Sequence, residues 1–370
     1  MIKAITNAVI YSGCEVLEGQ NILVEHGKIQ DIVSTIPDDA VRIDVAGRSI
    51  APAFIDIQPN GGYNLYFSKE VSAAALDDMC LASSDHGTGF IIPTLISSDH
   101  RTIIKAINVV GQYMQKQPGV LGMHLEGPFI NVEKRGVHPA HIIRKPTDEE
   151  LQVIIKAGRG IIKIITIAPE CFTEQQLQML LDSGINISIG HTMINYDEAQ
   201  YYFSKGIQLV THLYNAMTQM GHRECGLVGA IFNNDKVYAP VILDGGHCHY
   251  AAAQIAYKQK GDKLILLSDA AFLGRRKLQF DWERLSITMT DGFYRDAAGN
   301  LGGAAISMMD AVKNAVEHLQ VSLQTAVEMA TSRVAKAIKA DHEIGYIKPG
   351  YPARFVLFDD CFKDSKVLIG

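Results

Sequence analysis

The chain has 370 residues, 47% of them hydrophobic and 20% charged, which fits an ordinary globular protein of one large domain, or a large one with a small companion. A net charge of −6 leaves no basic footprint for nucleic acid, and the longest apolar runs, such as LILL (264–267) and IIKIITIA (161–168), are too short to span a bilayer. The six cysteines (14, 80, 171, 225, 248 and 361) form no CxxC pair, and MIKAITNAVI has no small and apolar run leading to a cleavage site, so free thiols and a cytoplasmic location are expected.

The first fifty residues read as β-rich. KAITNAVIYSG, QNILVEHGKIQDIV and AVRIDVAGRSI are short β-prone runs broken by Gly, Asn and Asp, and EHGKI reads as a hairpin turn. After residue 53 the pattern changes. Candidate strands at 54–58, 88–94, 119–126, 161–168, 185–190, 207–212, 238–244 and 264–269 are separated by helix-length stretches such as 71–84, 100–115, 148–157, 174–183, 196–204 and 250–258. Alternation of this kind predicts parallel strands with crossover helices, an α/β protein. Eight units predict a (β/α)₈ barrel of the TIM type; a doubly wound sheet is the alternative, although no GxGxxG follows an early strand. Residues 278–297 read as strands around a TDG turn, inserted after the eighth strand, and IGYIKPGYPARFVLFD (344–358) is again β-rich. The expected division is therefore a small β-sandwich domain from 1–52 and 343–370, flanking a barrel over 53–342.

In such a barrel the active site lies at the C-terminal strand ends. Strand one ends in Gln58 and Asn60, strand three in His124 and Glu126, strand five in His191, and strand six in Thr211 and His212. The seventh leads through Asp244 to His247 and His249, and the eighth ends in Ser268 and Asp269. Each alone reads as a hydrogen-bonded loop residue or a helix cap; five strand ends sending carboxylates and imidazoles to one rim is a pattern a random surface would scatter. Glu126, His191 and His212 make a carboxylate and two imidazoles, a set that suits Zn²⁺ or a similar divalent ion with a position open for water. Such an ion makes water easier to deprotonate. Asp269 is placed to accept that proton and return it to a leaving group, and His247 to polarise a carbonyl. Metal-assisted hydrolysis of an amide-like bond is the predicted chemistry.

HLEGPF (124–129), KRGVHPAH (134–141), IGHT (189–192), THLYNAM (211–217), HRECGLVG (222–229), LDGGH (243–247) and LSDA (267–270) together resemble the N-acetylglucosamine-6-phosphate deacetylase family of the amidohydrolase superfamily. The resemblance runs nearly the full length, and HLEGP followed by THLYNAM is its most specific part. It implies a homodimeric enzyme that hydrolyses the acetamide of an N-acetylhexosamine 6-phosphate with one divalent ion per subunit, Zn²⁺ first and Fe²⁺, Co²⁺ or Mn²⁺ as alternatives. Carried over by position, it implies Glu126, His191 and His212 as metal ligands, Asp269 as general base and acid, and His247 as a substrate-binding group that polarises the carbonyl. It also implies a sugar phosphate site of Val137, His138, Asn215, Ala216, Asp244, Gly245, Gly246, His247, Leu301, Gly302 and Gly303, with Arg223 reaching phosphate from the partner subunit. The galacto epimer is the close alternative, another mononuclear cyclic amidohydrolase a more distant one, and a metal-free scaffold the non-enzymatic one. The sequence departs from the family at AAFLGRRKL after Asp269, with Arg275 and Arg276; at GGAAIS (302–307); at Cys225; and at Arg354.

The first strand adds one expectation. Many amidohydrolases read H-x-H there and bind a second ion, whereas this chain has the carboxamides Gln58 and Asn60, poor ligands beside imidazole and carboxylate. A single-metal site follows, with Asp269 handling the proton. Asp56 has no role assigned beyond that of a buried, hydrogen-bonded acid.

Overall fold

The computed structural model describes residues 1–359, 361–362 and 364–370. Eight parallel strands, the second of them in two segments, follow in chain order around a ring. They begin with Phe54–Asp56 and Thr88–Ile91, paired with each other. Five consecutive segments then form one continuous arc: Thr94–Ile96 (the second strand resumed), Met123–Glu126, Ile162–Ile167, Asn186–Ile189 and Leu209–Val210. Ala239–Ile242 and Leu264–Leu267 make the last pair. Single bridges, Ile91 to Val120 and Leu209 to Tyr238, link the arcs. Because the strands succeed one another without a reversal of order, the architecture is the (β/α)₈ barrel and the doubly wound alternative is set aside.

The seam between the last strand and the first closes through loops and one side chain. The N–H of Asn60 donates to the Ala270 carbonyl at 2.9 Å. Asp56, buried, accepts from the N–H groups of Gln58 (3.3 Å) and Ser268 (3.2 Å) and from the Ser268 hydroxyl. Its carboxylate therefore ties the first strand to the eighth where no ladder does.

The barrel strands are apolar because both faces are covered. Helices pack outside, and the sequence starts several of them with a cap: Ser72, Asp99, Thr147, Thr173, Asn195 and Ser307 each accept from the backbone N–H three residues on. Thr173, Asn195 and Ser307 complete reciprocal capping boxes with Gln176, Glu198 and Asp310. Each such cap contributes about 1 kcal/mol.

The two chain ends meet. A five-stranded sheet runs Ser365–Ile369, Arg354–Phe358, Ser49–Pro52, Val9–Ser12, Glu15–Leu17, and a four-stranded sheet runs Lys28–Val33, Asn21–Glu25, Lys3–Thr6, Val41–Asp44. Ile5, Ile10, Ile22, Ile50, Phe355 and Leu357 fill the space between them. The EHGKI turn joins two antiparallel strands, with His26 and Gly27 at φ 51° and 72°, the left-handed pair that a tight hairpin requires. Arg354 docks this unit on the barrel: its Nη1 donates to the Gly89 carbonyl at 2.9 Å, and its guanidinium lies 5.5 Å from the Phe90 ring centre.

The insertion holds three strands, Gln279–Trp282, Leu285–Thr290 and Phe293–Arg295, so a turn at Glu283–Arg284 precedes the expected one at Asp291–Gly292. Among the described residues, no helix is long and apolar enough to cross a membrane.

Candidate active site

Glu126, His191 and His212 arrive from three strand ends and converge. Both His191 Nε2 and His212 Nε2 approach Glu126 Oε1, at 3.1 and 3.2 Å, and the two nitrogens are 3.1 Å apart. All three residues are buried. His191 Nδ1 lies 2.8 Å from the Lys134 carbonyl, which only accepts, so Nδ1 carries the proton. In the neutral ring the Nε2 lone pair then faces the carboxylate oxygen, an arrangement that repels unless a cation or proton lies between. Four-coordinate Zn²⁺ has bonds of about 2.0–2.1 Å, which sets neighbouring ligands roughly 3.3 Å apart. The donor atoms and their spacing fit a divalent ion. Burial works against ionisation of Glu126, yet the two imidazoles hold its carboxyl well below the usual range. His212 Nδ1 is buried without a hydrogen-bond partner.

The backbone is unusual at these positions. His191, His212 and Asp269 all have positive φ (51°, 31° and 50°), a region that costs a side-chain-bearing residue energy and that clusters at functional sites. Each turns its side chain off the end of a strand toward the same point.

Asp269 sits beside the cluster. Asn60 Nδ2 donates to its Oδ1 at 2.9 Å, and Gln58 Nε2 donates to the same oxygen at 3.3 Å and to Glu126 Oε1 at 3.0 Å. Gln58 thus bridges the two carboxylates. Oδ2 of Asp269 has no hydrogen-bond partner among the described residues. Burial, and then the nearby Glu126 charge, push the Asp269 carboxyl up to about 7. A bound cation would oppose that rise.

Two further histidines face the same cavity, each with its ring held from behind. His247 Nδ1 donates to Asp244 Oδ2 at 2.7 Å, and Asp244 Oδ1 accepts from the N–H groups of Gly246 (2.9 Å) and His247 (2.8 Å). Burial raises the Asp244 carboxyl, but the His247 ring and those N–H groups outweigh it and hold it below its ordinary value. His138 Nδ1 lies 2.7 Å from Ser97 Oγ and 3.4 Å from the Ser97 N–H. The N–H can only donate, so Nδ1 is the acceptor and Nε2 bears the hydrogen. Burial, reinforced by the His191 ring, pushes His138 down to about 3, so it stays neutral.

The cavity measures 250 Å³. Glu126, His191, His212, Asp269 and His247 line it, as do Val137, His138, Asn215, Ala216, Leu301, Gly302 and Gly303. Asp244, Gly245 and Gly246 do not line it, Asp244 acting on it through His247, and Arg223 is exposed on a loop outside it. Tyr66, Ile96, Ile242 and Asn300 also line it without having been picked out from the sequence. Ile96 had a signal, since it pairs in register with Glu126 once the second strand is extended beyond Pro93. Of the other polar strand-end residues, His124 is internal: Nδ1 donates to the Ile57 carbonyl (3.1 Å) and Nε2 accepts from Thr166 (2.7 Å), while burial pushes the ring down to about 4. His249 caps the helix Tyr250–Lys260. Arg276 stacks 3.7 Å from the Tyr63 ring centre, and neither it nor Arg275 reaches the cavity. GGAAIS pairs with the Asp269 loop, the Ala304 N–H donating to the Asp269 carbonyl at 2.8 Å, and Ser307 caps the next helix.

Residues 49–368 match the amidohydrolase family, and residues 3–50 match the NagA composite domain. This chain belongs to the amidohydrolase family. It is 33% identical over 365 residues to the N-acetylglucosamine-6-phosphate deacetylase of Haemophilus influenzae, covering 97% of this chain and 95% of that one. It is 34% identical over 374 residues to the N-acetylgalactosamine-6-phosphate deacetylase of a Shewanella species, covering 97% and 93%. The crystal structure of N-acetylglucosamine-6-phosphate deacetylase from Pasteurella multocida superposes with a TM-score of 0.94 at 34% identity, covering 100% of this amidohydrolase and 97% of that chain.

Proposed function

We propose that this amidohydrolase cleaves the acetamide of N-acetylglucosamine 6-phosphate, giving glucosamine 6-phosphate and acetate. The observation that carries this reading is the convergence on one cavity of Glu126, His191 and His212 with Asp269, whose Oδ2 is left unpaired. The names of the relatives supply the substrate class.

Glu126, His191 and His212 would hold one divalent ion, Zn²⁺ by the ligand set, with Fe²⁺, Co²⁺ or Mn²⁺ as alternatives. When bound, the ion supplies a Lewis acid for the amide carbonyl and lowers the proton affinity of water. Asp269 takes a proton from the attacking water and passes it to the amide nitrogen as the C–N bond breaks. Gln58 and Asn60 fix Oδ1, so one carboxylate oxygen is oriented and the other is free for proton transfer. His247, its ring oriented by the bond from Nδ1–H to Asp244, turns Nε2 to the acyl oxygen and, in its imidazolium form, donates to the developing oxyanion.

His138, through Nε2–H, and Asn215 offer polar groups to the sugar, with Val137, Ala216, Leu301, Gly302 and Gly303 completing the wall. Arg223 is exposed outside its own cavity, which suits a homodimer in which it reaches a phosphate bound by the partner subunit. The β sheets of 1–52 and 343–370 form, in this reading, a domain separate from the barrel of 53–342. A cytoplasmic location belongs to the same reading, and the free cysteines are consistent with it. N-acetylgalactosamine 6-phosphate is the second reading, favoured by the Shewanella relative of equal similarity.

Acetate release from each 6-phosphorylated N-acetylhexosamine, with and without chelator, tests the proposal. The gluco substrate should be turned over and chelation should stop it. Asp269→Asn should lower turnover by about 10³-fold with the ion retained. No acetate from either sugar would sink the reading, and loss of the ion in Asp269→Asn would make that residue a ligand instead.

A further inference from the structure

One wall of the cavity is apolar and stands beside the reacting groups. Ile96 pairs in register with Glu126 on the neighbouring parallel strand, so the two side chains share a face. Tyr66 follows Asn60 in a short loop closed by the Gly61–Tyr66 bridge and by the Phe67 N–H donating to the Asn60 carbonyl at 2.9 Å. Ile96 and Tyr66 are 3% and 6% exposed, and both line the cavity. Behind them lies an aromatic cluster: the Tyr66 ring centre is 6.0 Å from Phe272, 5.1 Å from Phe280 and 6.0 Å from Trp282. Phe280 and Trp282 belong to the three-stranded insertion, which therefore braces the ring from outside the barrel.

A substrate amide has two sides. Its amine side carries the sugar phosphate, which needs polar groups, and His138, Asn215 and Asn300 line the same cavity. Its acyl side is a short alkyl group that needs an apolar surface next to the carbonyl being attacked. Ile96 and the Tyr66 ring offer an apolar surface beside Glu126, backed by the aromatic cluster. We infer that Ile96 and Tyr66 form an acyl-binding wall that fits the acetyl methyl and excludes longer acyl chains. This selectivity rests on the deacetylase reading above and extends it to the part of the substrate that leaves as carboxylate.

The test compares kcat/KM for N-acetyl-, N-propanoyl- and N-butanoylglucosamine 6-phosphate in the wild type, Ile96→Ala and Ile96→Val. The wild type should lose about tenfold or more for the first added methylene. Ile96→Ala should shrink the acetyl-to-propanoyl ratio by about tenfold, and Ile96→Val should shrink it less. Should Ile96→Ala fail to fold, as judged by its thermal transition, Ile96→Val carries the comparison alone. Activity on the acetyl substrate with a ratio unchanged in the folded variants overturns the wall and leaves the deacetylase reading standing. No carboxylate from any of the three sugars overturns both.

Discussion

Lys260 ends the helix Tyr250–Lys260, only 4% exposed, with Nζ donating to the carbonyls of Ile231 (2.9 Å) and Asn234. Burial pushes its ammonium down to about 8. The unfolded lysine keeps its proton up to about 10.4. Between those values the unfolded chain binds more protons, so the native state gains stability as pH rises and loses it as pH falls through 8. The thermal midpoint of the wild type minus that of Lys260→Met should therefore grow between pH 7.5 and 9.5; a flat difference would place the ammonium in contact with water. Nothing in YAAAQIAYKQK marks this lysine, because its burial depends on the neighbouring helix Gly226–Phe232 and the loop after it. Asp56 is a similar case. Its alternation with Gln58 is visible along the strand, but its partner Ser268 is 212 residues away and becomes a neighbour only when the ring closes. Glu126, His191, His212 and Asp269 are legible as strand-end polar residues, and so is the expectation that Gln58 and Asn60 bond neighbouring strand ends or active-site water; that Gln58 bridges Glu126 and Asp269 is not, since a hydrogen bond of this kind has no spacing signature.

The insertion acts on the site as an element. Phe293, in its third strand, lies against Gly246 so closely that a Cβ there would come within 2.2 Å of the ring. Gly246 belongs to the loop whose N–H groups bond Asp244, the residue that holds His247. Gly246→Ala should therefore raise KM and lower turnover by about tenfold or more, as misplacement of a catalytic group does. The double variant Gly246→Ala/Phe293→Ala should recover most of that loss, because removing the ring restores the space. If the double variant is no better than the single one, the contact does not set the loop. The helices of the barrel were legible from their caps, Ser72, Asp99 and Thr147 among them, since a cap is a local signal. The insertion's extra turn was missed because Glu283 and Arg284 are not turn formers, although Glu283 adopts φ 51°.

At the scale of the whole molecule, one ion should bind per subunit. The first strand offers two carboxamides where a second ion would need imidazoles, and their amide N–H groups turn to Glu126 and Asp269. Elemental analysis should give one equivalent of divalent metal, and two would contradict this. Because the ligands come from three strand ends, the ion should also raise the thermal midpoint, as any ligand of the native state alone must. An unchanged midpoint at saturating metal would mean that the cluster assembles no site in the folded barrel. The amino-acid sequence by itself determined the alternation of strand and helix, the number of barrel strands and the polar residues that end them, because periodicity and strand-end chemistry are local properties of a chain. The tertiary structure alone decided the rest: that Asp56 closes the seam, that Gln58 and Asn60 hold Asp269, that Arg223 lies outside its own cavity, and that Ile96 and Tyr66 face the reacting centre. Those relations join residues far apart in the chain, and such distances take definite values only when the ring closes.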